Sequence, residues 1–139
     1  MSETHTWATL RVVSDSLTPD EISKVLDSSP SMAGVKGELS RLGKPIVANQ
    51  WLLDTNVGLE RDIEDHIREL AEFVSAKAER FRSLVESSAV TLDILCTVED
   101  SLGRSALVLD PDLMSTLALI PIELGVSWTC YSPEHDYAG

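Results

Sequence analysis

"NQWLLDTNVGLERDIEDHIREL", residues 49–70, is the stretch that decides the fold, because it joins a strand pattern to a helix pattern. It begins within a run of β-forming residues, 46–55, and the turn "NVG" follows. Apolar residues then recur every three or four positions, which is the helical period. The pattern predicts a strand at 46–55 and one long amphipathic helix at 59–86. The helix's apolar stripe comprises Leu59, Ile63, Ile67, Leu70, Val74, Ala78, Phe81 and Val85.

Upstream of this stretch the sequence predicts a strand, a capped helix and a glycine-containing turn. "WATLRVVSD" (7–15) alternates between two faces, which is typical of a strand. In "LTPDEISKVLD", Thr18 fits the N-cap position, Pro19 the first helical position and Glu21 the capping box. Pro30 ends this helix. A short strand and a long turn are expected between residues 31 and 45.

Downstream, "AVTLDILCTVED" (89–100) alternates and keeps one face fully apolar, which predicts a further strand. "RSALVLD" (104–110) is interpreted as its hairpin partner across the turn "SLG". Asp110 and Pro111 fit the cap and the first position of another helix, which Pro121 ends. "IELGVSWTCY" (122–131) is the last predicted strand.

The predicted element order is β-α-β-β-α-β-β-α-β, which is typical of an α+β fold with a mainly antiparallel sheet. Its first six elements match the ferredoxin-like split βαβ core, β-α-β-β-α-β, with the helices on one face. The remaining strand, helix and strand extend that sheet. The length of 139 residues fits a single domain, 1–139, whose C-terminal tail, 132–139, is expected to be frayed.

Acidic residues dominate the charge: 23 Asp and Glu face 11 Lys and Arg, which gives a net charge of −12. Such a surface repels phosphate backbones, so nucleic-acid binding is not expected, whereas a basic protein partner is compatible with it. No run approaches the roughly 18 apolar residues of a membrane span. The start "MSETHTWATL" lacks the pattern of a secretory signal, so the expected location is the cytoplasm. The sequence leaves the oligomeric state open.

Asp62, His66 and Glu69 are spaced so that they could share one side of the long helix. A carboxylate and an imidazole together can bind a metal or move protons. On a helical wheel, however, Asp62 and Glu69 point to solvent and His66 lies at the edge of the apolar stripe. The first-turn acids also suit the helix dipole. We therefore interpret this cluster as a solvated helix face, and predict neither a metal nor another cofactor.

Tryptophans lie in three of the predicted strands, at Trp7, Trp51 and Trp128. Trp51 is interpreted as a core anchor, although it could instead form the floor of a ligand pocket bordered by His66. If the strands are neighbours, two or three tryptophans could share one face. An RNA-binding stacking platform is disfavoured by the acidic charge and by the missing basic-aromatic motif.

Nucleophile and phosphate-binding motifs are absent from the sequence: there is no G-x-S-x-G, P-loop or G-x-G-x-x-G. Cys96 and Cys130 each lie in an apolar run, away from the histidines, and are expected to be buried thiols. A C-terminal cluster, Glu134, His135 and Asp136, would form a site only if the tail docked. No catalytic residue is predicted.

Several segments in this order resemble a known bacterial family. They are "ATLRVVSDSLTPDEISKVLDSSP", "KGE" before "NQWLLDT", "LERDIEDHIRELAE" and the late "LGVSWTCY". Together they are similar to the domain of unknown function 4279 family over nearly the whole chain. The resemblance implies a bacterial origin and an intact single domain. It implies no activity and no catalytic residues.

Two hypotheses of function follow. The favoured one is a non-enzymatic binding or interaction module whose acidic surface engages a basic partner, as in toxin-neutralising immunity proteins. The alternative is a small-molecule-binding sensor or enzyme with a pocket near Trp51 and His66; Trp7 and Trp128 are further weak candidates for ligand contact.

Overall fold

The structure, a computed structural model, describes residues 4–87, 90–100 and 106–129. These residues form an α+β fold with a five-stranded mixed sheet and four helices. In chain order the elements are β1 (Thr4–Ser14), α1 (Pro19–Leu26), β2 (Met32–Gly34), β3 (Asn49–Asp54), α2 (Ile63–Ala76), α3 (Ala78–Ser87), β4 (Val90–Asp100), α4 (Pro111–Leu117) and β5 (Glu123–Thr129).

The strands lie in the order β2-β3-β1-β4-β5, with β1 at the centre. β1 is antiparallel to both neighbours and pairs with the whole of β4, from Thr4 opposite Asp100 to Ser14 opposite Val90. β2 is antiparallel to β3, whereas β5 runs parallel to β4. The longest ladder of the sheet is therefore the one between β1 and β4.

Successive residues of the central strands alternate between buried and exposed sides, as the sequence predicts. Ala8, Leu10 and Val12 of β1 are 0% exposed, and the apolar residues Leu92, Ile94, Cys96 and Val98 of β4 are also buried. The intervening residues of both strands are half-buried or exposed. This period-two burial is the pattern of a sheet with one face on the core.

Five residues of the predicted stripe are buried, namely Ile63, Ile67, Leu70, Val74 and Phe81, whereas Ala78 and Val85 are half-buried. A single helix over 59–86 is wrong. α2 begins at Ile63 with Asp62 as its N-cap residue, and Leu59 is 51% exposed. Lys77 leaves helical geometry, with φ −121° and ψ 27°, and separates α2 from α3. Beyond this break, the Lys77 ammonium and the Arg80 guanidinium donate to carbonyls at the end of α1, which ties α3 to α1.

The predicted hairpin partner of β4 at 104–110 is also wrong. Residues 106–110 form no strand, and residues 104 and 105 lie outside the described residues. Leu107 and Leu109 pack against the core, and the Val108 N–H donates to Glu64 Oε2 at 2.8 Å. The Val108 N–H, which would pair with β4 in a hairpin, is thus bonded to the Glu64 side chain of α2. β5 lies beside β4 instead.

The two predicted helix caps are confirmed. Glu21 N donates to Thr18 Oγ1 at 3.2 Å, and Thr18 N donates back to Glu21 Oε1 at 3.0 Å. These bonds lower the pKa of Glu21. In α4, Asp110 Oδ1 accepts from Leu113 N at 2.8 Å, and that bond lowers the pKa of Asp110. Both helix starts are thus fixed by local sequence.

Replacing Thr18 with alanine is expected to lower the free energy of unfolding by about 1 kcal/mol, because the Glu21 amide loses its side-chain acceptor. Urea unfolding measures the change, with Thr18→Ser as the matched control that keeps the hydroxyl. Equal midpoints for wild type and Thr18→Ala would contradict the reciprocal cap.

No helix of the described segments combines the length and the apolar character that crossing a bilayer requires. The longest of them, α2, has 14 residues.

Candidate functional site

Trp51 lies in the core, opposite Val12 in the register between β3 and β1. Its side chain is 0% exposed, and its indole Nε1 donates to Ser23 Oγ of α1 at 2.9 Å. The ring stacks on Phe73 of α2, with centroids 6.5 Å apart and planes at 24°. Both the polar and the apolar parts of this side chain therefore have partners within the protein.

His66 is buried rather than at the edge of the apolar stripe, since only 1% of the residue is exposed. Its Nδ1 lies 2.6 Å from Thr55 Oγ1, and the same hydroxyl oxygen accepts from Ala8 N at 3.2 Å. Nε2 is buried without a hydrogen-bond partner. The helical wheel places His66 at the edge of the apolar stripe of α2. A wheel does not show that Thr55, in the segment after β3, covers that side of the helix.

Asp62, His66 and Glu69 do not converge. Asp62 makes no side-chain cap bond, whereas the Glu69 carboxylate accepts from Asn56 N at 2.9 and 3.1 Å. His66 faces Thr55. Within the described residues there is no group of three or more His, Cys, Asp or Glu side chains that could hold a metal ion.

Zn²⁺ is therefore expected to cause no His66-dependent rise in the melting temperature. A native-state ligand at a hundredfold excess over its Kd adds about 2.7 kcal/mol of stability, which a melting scan detects readily. Binding through Nε2 would require a cation to enter the core, where burying a charge is costly. A Zn²⁺-induced shift in wild type that is lost in His66→Ala would contradict this expectation.

Cys96 is buried on the core side of β4, opposite Ala8. Burial raises the pKa of its thiol to about 12, so the thiolate is not available at neutral pH. Cys130 and the cluster Glu134, His135 and Asp136 lie outside the described residues.

The other side of the central strands forms a second surface, which we call the exposed sheet face. It comprises the half-buried or exposed residues His5, Trp7, Thr9, Arg11 and Val13 of β1, Gln50, Leu52 and Asp54 of β3, Thr91, Asp93, Leu95, Thr97 and Glu99 of β4, and Glu123, Gly125, Ser127 and Thr129 of β5. The alternation in β1 and β4 predicts this face, but the sequence alone does not show which strands lie side by side on it.

An ion pair lies at the centre of the exposed sheet face. Arg11 Nη2 contacts Asp93 Oδ2 at 2.8 Å, and Arg11 Nε contacts the two oxygens of the same carboxylate at 3.1 and 3.3 Å. The Asp93 hydrogen bond raises the pKa of Arg11, and the nearby carboxylate of Glu123 adds to this effect. This two-point contact fixes the orientation of the guanidinium.

Carboxylates outnumber cations among the residues that define this face. Asp54, Asp93, Glu99 and Glu123 accompany Arg11, and Thr9 Oγ1 donates to Asp54 Oδ1 at 2.7 Å. Apolar surface lies among these carboxylates, since Leu95 is 39% exposed. The Leu95 side chain packs beside Gly125, where an added Cβ would lie 3.2 Å from Leu95 Cδ2. The face is thus both acidic and partly apolar.

The three tryptophans do not share a surface. Trp7 pairs with Thr97 on the exposed sheet face, whereas Trp51 pairs with Val12 on the core side. Trp128 of β5 pairs with Val98 and so lies on the same side of the sheet as Trp51, but β1 and β4 separate the two strands, and Trp128 is 47% exposed. An aromatic platform of several tryptophans is therefore not formed.

A polar cleft of about 390 Å³ lies where the start of β1 meets the first turn of α2. It is lined by Thr4, Thr6, Glu60, Arg61, Asp62, Ile63, Glu64, Val98 and Ala106. Among the described residues of this lining the one cation is Arg61, which already contacts Asp65 at 3.0 Å. The carboxylates make the cleft acidic, like the exposed sheet face.

Comparison with known proteins gives one match. A family described as Domain of unknown function (DUF4279) matches residues 2–131. No curated protein and no solved structure matches the chain.

Proposed function

The chain belongs to the family described as Domain of unknown function (DUF4279), and from that premise we propose that it is a non-enzymatic binding module for a basic protein. The charge of the molecule carries the proposal. Even if each of the 11 Lys and Arg residues paired with a carboxylate, an excess of −12 would remain. Such a field speeds association with a cationic partner and disfavours anionic ones.

The placement of the helices relative to the sheet supports this proposal. We infer that β1, α1, β2, β3, α2 and β4 adopt the ferredoxin-like split βαβ arrangement, with the helices on one face of the sheet. The strand order β2-β3-β1-β4, with β1 antiparallel to both neighbours, supports the inference. On the core side of the sheet, Trp51 donates a hydrogen bond to Ser23 of α1 and stacks on Phe73 of α2, which also supports it. In that arrangement the opposite side of the sheet stays free for a partner.

Neutralisation of a basic protein toxin, as immunity proteins perform it, is one instance of the proposed function. This chain resembles immunity proteins in its acidic charge alone. The bacterial and cytoplasmic setting stays a prediction.

The alternative, a small-molecule sensor or enzyme using Trp51 and His66, is not the function we propose. Both side chains are almost fully enclosed, and the Trp51 N–H is already bonded to Ser23. A ligand would have to displace core packing to reach either ring, which costs free energy that an exposed surface does not require.

Affinity capture over a salt series tests the proposed function. The protein is immobilised and exposed to host extract at 50 and 500 mM NaCl, and enriched proteins are purified and measured individually by calorimetry. We expect a basic protein whose affinity falls steeply with salt, since its attraction to exposed carboxylates is screened. Failure to enrich a basic protein at 50 mM, or an affinity that is independent of salt, would contradict the proposal.

A further inference from the structure

We propose that the exposed sheet face is the docking surface for the basic partner, with Trp7 and Leu95 as apolar anchors and the surrounding carboxylates as the charge-matching groups. This inference rests on the proposed function and adds the place of contact. It concerns a surface, whereas the function above rests on the charge of the whole chain.

Trp7 and Arg11 are residue types that protein–protein interfaces favour. Such interfaces are enriched in aromatic residues and Arg at the centre and are polar at the rim. Here Trp7 and Arg11 lie on the central strand β1, with Thr9 between them on the same face. Leu95 of β4 lies opposite Thr9. Trp and Arg are also the residues that most often dominate binding energy.

The Arg11–Asp93 pair gives the face a fixed charge pattern before binding. Three contacts of 2.8–3.3 Å hold the guanidinium against the carboxylate. The pair lies on strands joined from Thr4–Asp100 to Ser14–Val90, so its backbone is held by the longest ladder of the sheet. A preorganised surface loses less conformational entropy on binding, which favours docking there over docking on a loop.

Charge complementarity identifies the occupant as a basic partner rather than a second copy of this chain. Asp54, Glu99 and Glu123 exceed what Arg11 can balance, because Arg11 is already engaged by Asp93. Two copies meeting through this face would bring the same carboxylates together, and like charges facing each other across an interface disfavour association. A surface of Lys or Arg interleaved with apolar side chains fits both features of the face.

Paired charge variants separate this surface from the charge of the whole molecule. The face variant is Glu99→Gln with Glu123→Gln, and the matched control is Glu72→Gln with Glu79→Gln on α2 and α3, where both glutamates are exposed. Each variant removes two charges. A third variant, Trp7→Thr, removes the aromatic anchor and keeps a good strand former. Circular dichroism and urea unfolding establish that each variant is folded.

The probe is a 12-residue amide-capped peptide of repeated Lys-Leu-Lys-Thr units, measured by calorimetry and by ¹⁵N NMR on the full chain at 50 mM NaCl. We expect amide shifts concentrated in β1 and β4, a loss of affinity of about tenfold in the face variant and in Trp7→Thr, and less than twofold in the control. Should Trp7→Thr be unfolded, Leu95→Thr replaces it as the anchor variant, with the same expected loss.

The outcomes distinguish the two proposals. Equal losses in the face and control variants, with shifts spread over the helices, would overturn the docking surface and leave the acidic binding module standing. No binding of the peptide to wild type would overturn the docking surface, and the salt series would then decide the function separately. Dimers in sedimentation velocity that Trp7→Thr dissociates would identify a second copy as the occupant and overturn the basic partner.

Discussion

Replacing Leu70 with alanine is expected to lower the free energy of unfolding by about 2–5 kcal/mol, through lost transfer energy and the cavity that remains. Leu70 is 1% exposed and lies on α2 among the buried residues Ile67, Ala71 and Val74. A domain is typically stable by about 5–15 kcal/mol, so the change consumes a large share of the total. Urea unfolding followed by circular dichroism measures it.

The control for Leu70 is Glu72, two residues further along the same helix and exposed. Glu72→Ala is expected to change stability by less than about 0.5 kcal/mol. Glu69, which the helical wheel places on the solvent side, is a less suitable control, because its carboxylate accepts the Asn56 N–H. Similar effects at Leu70 and Glu72 would contradict the helix phase, and with it the burial of His66.

Local chemistry explains which parts of the fold could be predicted. The alternation of β1 and β4 and the caps at Thr18 and Asp110 depend on residues within a few positions of one another. The two strands and the two caps are confirmed, with small shifts in where the strands begin and end. These predictions do not require knowledge of residues distant in sequence.

The incorrect predictions depend on distant contacts. No Pro or Gly marks the helix break at Lys77, and the bonds of Lys77 and Arg80 to α1 become visible only in three dimensions. The apolar alternation of 106–110 resembles a strand. Its Leu residues instead pack on the core, and Glu64 takes the Val108 N–H.

The candidate site shows the same limit. The sequence places Trp7 and Arg11 on one face of a strand, but the pairing of Arg11 with Asp93 joins residues 82 positions apart. Likewise, the burial of His66 depends on Thr55 and Ala8, which periodicity in α2 cannot reveal. The residue types indicate which side chains can form ion pairs or hydrogen bonds, whereas the order of the strands determines which of these side chains are neighbours.

Replacing Trp51 with alanine is expected to cost about 3–5 kcal/mol, the range for removing a large buried aromatic side chain. The change removes a fully buried ring, its stack on Phe73 and the bond to Ser23. Ser23→Ala removes only the acceptor of the indole N–H, which leaves that buried donor unsatisfied and should cost about 1–3 kcal/mol. Trp128→Ala should cost less than Trp51→Ala, because 47% of Trp128 is exposed. Urea unfolding of the three variants gives the comparison.

This series also tests the small-molecule alternative. If Trp51 is a core anchor, destabilisation follows burial, Trp51→Ala being the most severe, and Trp51→Phe recovers much of the loss because an aromatic ring still packs on Phe73. If Trp51 were instead the floor of a ligand pocket, its removal would enlarge a cavity that already exists, and stability would change little. A Trp51→Ala variant as stable as wild type would therefore revive the small-molecule alternative. A large loss would exclude the Trp51 pocket and leave the binding module, with the exposed sheet face as its inferred contact surface, to be tested by the capture and peptide experiments.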